Sequence, residues 1–257
     1  MRGKAARSPW WVFGLLCVSL FRLSGQETVL VDSLETALNA YNRRDTGLVN
    51  RLNELGYEYW IVNPSESVRY GNLALQLSDS LDYPAGKAYA LRVIGVGYWA
   101  QGNGELAFHH LIRSRQAFAD LGDAFNVANA QLNLGMVYAD QRDPAGAERH
   151  YREALRTFRR LGDSSRVATT LTKIADVWIR EEKFDSAFHH LRKALQIHER
   201  NDFIYGVGEV NAKLGNISLA NQDYDNAISH FLLAVKAGGQ RYDHIGIAEN
   251  FAGIGTA

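Results

Sequence analysis

The chain has 257 residues and 28 side chains of each charge, so its net charge is zero at pH 7. This balance argues against nucleic-acid binding, which needs a concentrated basic surface. Hydrophobic residues make up 46% of the sequence and prolines number only four, which allows a large helical core.

The segment 1–25 differs from the rest of the chain and has the pattern of a secretory signal. Three basic residues lie among the first seven, an uncharged apolar run covers 10–21, and small residues precede Gln26. This run is shorter than the about 20 residues that cross a bilayer. We therefore predict a signal peptide over 1–25, cleavage near Gln26 and a bacterial periplasmic or cell-envelope location. An uncleaved membrane anchor is the alternative, in which case the signal segment itself contacts the membrane.

Cysteine gives no further information about the compartment. The only one, Cys17, lies inside the apolar run, so a cleaved chain would carry no thiol and no disulfide. The prediction of export therefore depends on the signal pattern alone. Between the signal and the rest of the chain, residues 26–46 are predicted to form a leading helical segment.

Residues 47–257 repeat one pattern with a period of 40. Leu121-Gly122-Asp123 returns as Leu161-Gly162-Asp163, and an aliphatic residue precedes glycine or alanine at 94, 134, 174, 214 and 254. Repeats of this length indicate stacked structural units. We predict about five helix pairs followed by one incomplete terminal copy. That copy supplies Ile254-Gly255 and lacks its second helix, so we expect the natural chain to continue beyond Ala257.

Each unit has the pattern of two helices joined by a turn. Gly122 and Gly162 are expected to end helices in the left-handed conformation, and Asp123 and Asp163 to cap the next ones. Pro144 suits the first position of a second helix. The apolar stripe of that helix and three aromatic residues of the first helices are predicted to be core: Ala147, Tyr151, Ala154, Leu155 and Phe158, with Tyr98, Tyr138 and Trp178.

The unit resembles the tetratricopeptide repeat in its pattern of Leu134-Gly135, Tyr138, Ala147, Tyr151 and Ala154. The resemblance implies an all-α fold, a right-handed superhelix (solenoid) of antiparallel helix pairs that binds a protein or peptide in its concave groove. The period of 40 rather than 34 implies longer helices. The proline that usually closes the unit is replaced by Leu-Gly-Asp.

A second resemblance concerns the start of the array. An export signal, Asp45-Thr46 and the segments 49–55 and 63–67 resemble the exported sensory region of bacterial repeat-containing histidine kinases or nucleotide cyclases. This resemblance implies a role in signal transduction, although the sequence contains neither a kinase nor a cyclase domain. A free-standing envelope assembly scaffold with no signalling role is the alternative.

Family resemblance also implies which residues line the groove, at offsets from the Leu-Gly pair of each first helix. The wall is aromatic at its N-terminal end and of mixed charge further on. Val96 stands where the terminal-carboxylate clamp of the family needs an asparagine after Arg92, so no such specificity is predicted. The implied groove residues are Asn50, Asn53, Tyr57, Trp60, Tyr89, Arg92, Val96, Trp99, Asn129, Asn133, Met136, Asp140, Thr169, Lys173, Asp176, Arg180, Glu209, Lys213 and Asn216.

One column of histidines invites a metal-binding hypothesis, because His110, His150, His190 and His230 occupy the same position in four consecutive second helices. Zinc needs ligand nitrogens about 2.0–2.1 Å from one ion, whereas equivalent points on stacked helices are about 10 Å apart. We therefore predict ring packing between repeats, with zinc as the alternative. No pattern of nucleophile and base is present, so we predict a non-enzymatic protein with no cofactor.

Overall fold

The computed structural model describes residues 24–239 and 252–255 of the chain. This described part forms eleven helices followed by one helical turn at 252–255. The helices are α1 (Ser24–Asn39), α2 (Thr46–Val62), α3 (Pro64–Ser80), α4 (Pro84–Ala100), α5 (Gly104–Asp120), α6 (Ala124–Asp140), α7 (Pro144–Leu161), α8 (Ser164–Arg180), α9 (Phe184–Arg200), α10 (Ile204–Ala220) and α11 (Tyr224–Gly239).

Consecutive helices pack as pairs, beginning with α2 against α3 and ending with α10 against α11. The even-numbered helices α2 to α10 are the first helices of these pairs, and successive first helices also contact one another. Short turns reverse the chain within each pair. The predicted fold, an all-α right-handed solenoid of antiparallel helix pairs, is confirmed.

Side-chain caps and special backbone conformations begin and end the helices where the sequence predicts them. The carboxylates of Asp123 and Asp163 accept hydrogen bonds of 3.0 and 2.8 Å from backbone N–H groups three residues later. Gly162 has φ of 72°, which glycine adopts without steric cost. In turns inside the pairs, non-glycine residues such as Arg142 and Glu182 also have positive φ. The repeat pattern did not predict this conformation for them.

Close approach of the two helices in a pair explains the small residues of the repeat. Ala147, Ala154 and Phe158 of α7 are fully buried, as the apolar stripe predicts. Gly135 of α6 faces the ring of Tyr151, which a side chain at residue 135 would overlap. The three aromatic residues predicted as core pack against the buried side chains and keep part of their surface exposed; they are Tyr98, Tyr138 and Trp178.

The leading helix α1 covers the first face of the array. The Glu35 carboxylate accepts hydrogen bonds from the hydroxyls of Tyr59 at 2.6 Å and Tyr70 at 3.3 Å. The helix begins at Ser24, so it runs through the predicted cleavage point, whereas residues 1–23 lie outside the described residues. Within 24–239 and 252–255, no helix has both the length and the apolar character of a membrane span.

The terminal copy lies partly outside the described residues. Its helical turn at 252–255 packs beside α11, because a Cβ atom at Gly253 would lie 2.6 Å from Cζ of Phe231. Nothing is described of residues 240–251, where the predicted copy begins at His244.

Candidate functional site

The candidate site is the surface formed by the first helices α2, α4, α6, α8 and α10, here called the groove face. All of the groove residues implied by the family resemblance lie on these five helices. Contacts between neighbouring first helices join many of them into one continuous surface. The groove face has an aromatic part on α2 and α4 and a charged part on α6, α8 and α10.

A pair of tryptophans forms the centre of the aromatic part. The rings of Trp60 and Trp99 lie 5.6 Å apart at an angle of 49°, and both side chains are partly exposed. The indole N–H of Trp99 donates a 2.6 Å hydrogen bond to the Asp140 carboxylate. These contacts link α2, α4 and α6, so the two indoles have fixed positions on the groove face.

Arg92 lies between two tyrosine rings in the same part of the groove face. The Cζ atom of Arg92 is 5.2 Å from the ring centroid of Tyr57 and 5.1 Å from that of Tyr89. Its Nε atom is shielded from solvent and has no hydrogen-bond partner among the described residues. Burial lowers the pKa of the guanidinium, because a low-dielectric environment disfavours the charged form.

Charged side chains of the C-terminal part pair with one another across the repeats. Arg180 contacts the Asp140 carboxylate at 3.2 Å. Lys213 contacts Asp176 at 2.7 Å, and Lys173 reaches the same carboxylate at 3.9 Å. The mixed charge that the sequence predicts is therefore arranged as a ladder of ion pairs, which leaves little net charge on this part of the surface.

The asparagines that the resemblance implies as groove residues differ from one another in exposure. Asn53 is buried and donates a 3.1 Å hydrogen bond to the Gly86 carbonyl, and Asn129 is buried beside Asn126. The successive first helices approach closely enough to enclose both side chains. The Asn50 amide oxygen accepts from the Tyr83 hydroxyl at 3.2 Å, and Asn216 is exposed. Val96 is buried, while Asn133, Met136, Thr169 and Glu209 keep part of their surface exposed.

Two residues near the aromatic part were missed by the sequence analysis. Asn126 donates a 2.8 Å hydrogen bond to the Tyr89 hydroxyl and so joins α4 to α6. Arg166 of α8 lies close enough to lower the pKa of Arg92 further. Asn126 and Arg166 occupy the same repeat position, 40 residues apart, whereas the flanking repeats have Gly86 and Gly206 there, so the position is polar in only two neighbouring repeats.

Two members of the histidine column, His110 and His150, pack within their own helix pairs, which corrects for them the prediction of packing between repeats. His150 stacks on Tyr138 of the same pair at 5.0 Å, and its Nδ1 atom lies 2.5 Å from the side-chain oxygen of Gln131. His110 stacks on Tyr98 in the same way at 5.6 Å. The reason is that in these two pairs the histidine of the second helix faces the tyrosine of its own first helix.

Burial lowers the pKa of five histidines, here called the shielded histidines. Their rings lose solvation on folding, which disfavours the protonated form. Within the part of the chain that the structure describes, no group of three or more histidine, cysteine or carboxylate side chains is placed to hold a metal ion. The shielded histidines are His110, His150, His190, His198 and His230.

Comparison with known proteins supports the repeat assignment. The tetratricopeptide repeat description matches residues 86–160 and, in a second placement, residues 126–200. No curated protein sequence matches the chain. Similarity to solved structures extends further than the sequence match, although each of these structures shares too little sequence with the chain to show more than its fold.

BtubC from P. vanneervenii has a similar structure, with a TM-score of 0.65 and 20% identity, covering 87% of this chain and 92% of that one. The apo form of RapI is similar over 96% of this chain and 95% of its own, with a TM-score of 0.61 and 13% identity. A Rap protein complexed with competence and sporulation factor gives a TM-score of 0.67 and 14% identity over 91% of this chain and 71% of its own. From the repeat pattern, the helix pairs and these matches, we conclude that residues 86–200 of the chain belong to the tetratricopeptide repeat family.

Proposed function

We propose that the groove face binds an extended segment of another protein, and that the chain acts as a scaffold without catalysis of its own. The observation that carries this proposal is the aromatic part, where Trp60, Trp99, Tyr57 and Tyr89 keep part of their surface exposed on adjacent first helices. Partly exposed tryptophan and tyrosine beside arginine is the composition typical of binding hot spots.

The positions of these side chains suit an extended ligand. Contacts within the protein already hold the two tryptophans in place, so little side-chain entropy is lost when a ligand covers them. The concave walls of helical solenoids characteristically bind elongated partners. The similar Rap structure was solved as a complex with competence and sporulation factor, which supports the proposal that this fold accommodates a bound partner.

Selection from a library of displayed random dodecapeptides tests the proposal. We expect selected peptides to bind the wild-type protein and to lose most of their affinity for the Trp60→Ala/Trp99→Ala variant. Phe188→Ala is the matched control, because Phe188 is an aromatic residue on the second helix α9, away from the groove face, with 37% of its surface exposed. No selected binder, or equal binding by the wild type and the double variant, would contradict the proposal.

We further propose that the chain is exported and forms the sensory region of a bacterial signal-transduction protein. The signal pattern of residues 1–25 and the resemblance at the start of the array support this proposal. N-terminal sequencing of envelope-fraction protein is expected to begin at or near Gln26. Full-length chain found only in the cytosol would refute export. A gene that encodes no membrane span and no kinase or cyclase domain after residue 257 would favour the envelope scaffold instead.

A further inference from the structure

Arg92 differs from the other charged side chains of the groove face. The remaining groove-face cations implied by the family pattern each contact a carboxylate: Arg180 contacts Asp140, and both lysines contact Asp176. Within the described residues, Arg92 contacts no acidic side chain at ion-pair distance, and its shielded Nε atom donates no hydrogen bond. Among the groove cations implied by the family pattern, Arg92 is therefore the one whose pairing capacity is unused within the described residues.

Leaving this guanidinium unpaired is costly to the folded protein. Arg92 is partly buried, and its shielded Nε atom loses solvation that nearby dipoles only partly replace. The faces of Tyr57 and Tyr89 offset some of this loss through cation–π contacts. Arg166 adds to the cost, since a second positive charge lies close by. The nearby Asp123 carboxylate already accepts hydrogen bonds from the backbone and side chain of Asn126.

We propose that the groove selects partner segments with an aspartate or glutamate at an internal position, whose carboxylate pairs with Arg92. This inference rests on the proposed function and names the chemistry of its ligand. Guanidinium groups bind carboxylates through paired, charge-assisted hydrogen bonds. The tyrosine rings that flank Arg92 exclude water on two sides, which strengthens such a pair relative to one in open solvent.

The position of Arg92 favours an internal carboxylate over a chain terminus. Groove residues continue on both sides of it, towards Trp60 of α2 and towards the ladder of ion pairs on α6 to α10. A segment bound along this surface passes Arg92 without ending there. Val96, which follows Arg92 by one helical turn, is buried and apolar and supplies no amide for a terminal carboxylate.

The distance between Arg92 and Trp99 along α4 predicts how the side chains of the ligand are spaced. Trp99 lies seven residues after Arg92, which corresponds to about 10 Å along a helix. An extended chain covers that distance in about three residues. The ligand is therefore expected to place a large apolar side chain about three residues from its acidic one, so that the apolar group covers the two tryptophans while the carboxylate meets Arg92.

A designed nonapeptide tests this inference without knowledge of the natural partner or of its chain direction. The probe is fluorescein-labelled and C-terminally amidated, with glutamate in the centre, tryptophan three residues to each side and serine elsewhere. Two matched peptides carry central glutamine, one with an amide end and one with a free C-terminal carboxylate. Fluorescence anisotropy with the full chain measures the Kd of each peptide.

We expect the glutamate peptide to bind about tenfold or more tightly than either glutamine peptide. Arg92→Gln is expected to abolish this difference. Arg152→Gln is the control, because Arg152 lies on the second helix α7 and pairs there with Glu148, so the same change of charge occurs away from the groove face. Equal binding of the glutamate and amidated glutamine peptides overturns the inference, and so does a preference for the free carboxylate.

Failure of the inference is distinguishable from failure of the proposed function. If peptides selected from the random library bind at the two tryptophans but show no preference for acidic residues, the proposed function stands and the inference is wrong. If neither the designed nor the selected peptides bind, both are wrong.

A ligand-free readout gives an independent test. Arg92→Met is expected to leave Tm unchanged or to raise it, because it removes an unpaired, partly buried charge and keeps the aliphatic packing. A fall in Tm of more than about 5 °C would show that Arg92 serves the fold rather than a ligand.

Discussion

Substitution of Gly135 by alanine tests the close helix approach on which each repeat depends. A Cβ atom at this position would overlap Cε1 of Tyr151 and lie 2.5 Å from its Cδ1 atom, whereas carbon atoms normally pack at about 3.5–4.0 Å. Tyr151 is 2% exposed, so its ring is enclosed by neighbouring side chains and cannot move aside into solvent. The helices α6 and α7 must therefore separate, or the ring must leave its preferred conformation.

The magnitude follows from two opposing effects. Overpacking a well-filled core costs about 1–3 kcal/mol, whereas alanine in place of glycine in a helix interior stabilises by about 1 kcal/mol. Because the added atom overlaps a buried aromatic ring, we expect overpacking in the upper part of its range, about 2–3 kcal/mol. The free energy of unfolding of Gly135→Ala is therefore expected to fall by about 1–2 kcal/mol once the gain from alanine is subtracted. Urea unfolding followed by circular dichroism at 222 nm measures this change through the midpoint and slope of the transition.

Gly104→Ala is the matched control. It makes the same change at the start of α5, where the added Cβ atom would lie 3.1 Å from the flexible end of Gln141. We expect its free energy of unfolding to stay within about 0.5 kcal/mol of the wild type. If Gly135→Ala is as stable as this control or more stable, the close packing of α6 on Tyr151 is refuted.

Further predictions concern pH, a helix cap and the groove face. The folded-state pKa values of the shielded histidines lie below their unfolded value of about 6.5, so the unfolded chain binds more protons on acidification. Tm is therefore expected to fall as pH drops below about 6.5, and a Tm that stays constant between pH 7.5 and 5 would contradict this account. Asp163→Ala removes the 2.8 Å hydrogen bond to the Arg166 amide and is expected to cost about 1 kcal/mol in urea unfolding, and no change would argue against the cap. Trp99→Ala is expected to weaken binding of a selected peptide by about 1 kcal/mol or more in anisotropy titrations while Tm falls by only a few degrees; a large loss of Tm with unchanged affinity would assign Trp99 to the core.

Much of the fold follows from the sequence because the repeat constrains the same contacts in every copy. The Leu-Gly-Asp turn combines a residue suited to left-handed backbone with a capping carboxylate, and both roles are present at Gly162 and Asp163. The alanine positions of the second helices are buried for the steric reason that their spacing predicts. The positive φ of Arg142 was not predicted, because the residue type varies at this repeat position: Gly102 precedes it and Glu182 follows it, all with positive φ.

The candidate site was less predictable than the fold. The family pattern places side chains on the first helices, but their accessibility depends on how closely those helices approach. Asn53 and Asn129 are enclosed between helices, whereas the two tryptophans are held at the surface by each other and by Asp140. The lack of an acidic partner for Arg92 depends on contacts between repeats, which a single-sequence pattern does not contain.

The most direct test of the account uses the indole N–H resonances of the 15N-labelled protein, because Trp60 and Trp99 report together on one location and Trp178 reports on another. Trp60 and Trp99 lie on the groove face, while Trp178 packs against the core of α8 and its neighbours and serves as an internal control. On saturation with a peptide selected from the random library, the resonances of Trp60 and Trp99 are expected to shift and that of Trp178 to stay in place. Shifts confined to Trp178, or no shift at any of the three when the peptide is bound, would contradict the assignment of the groove face as the binding surface.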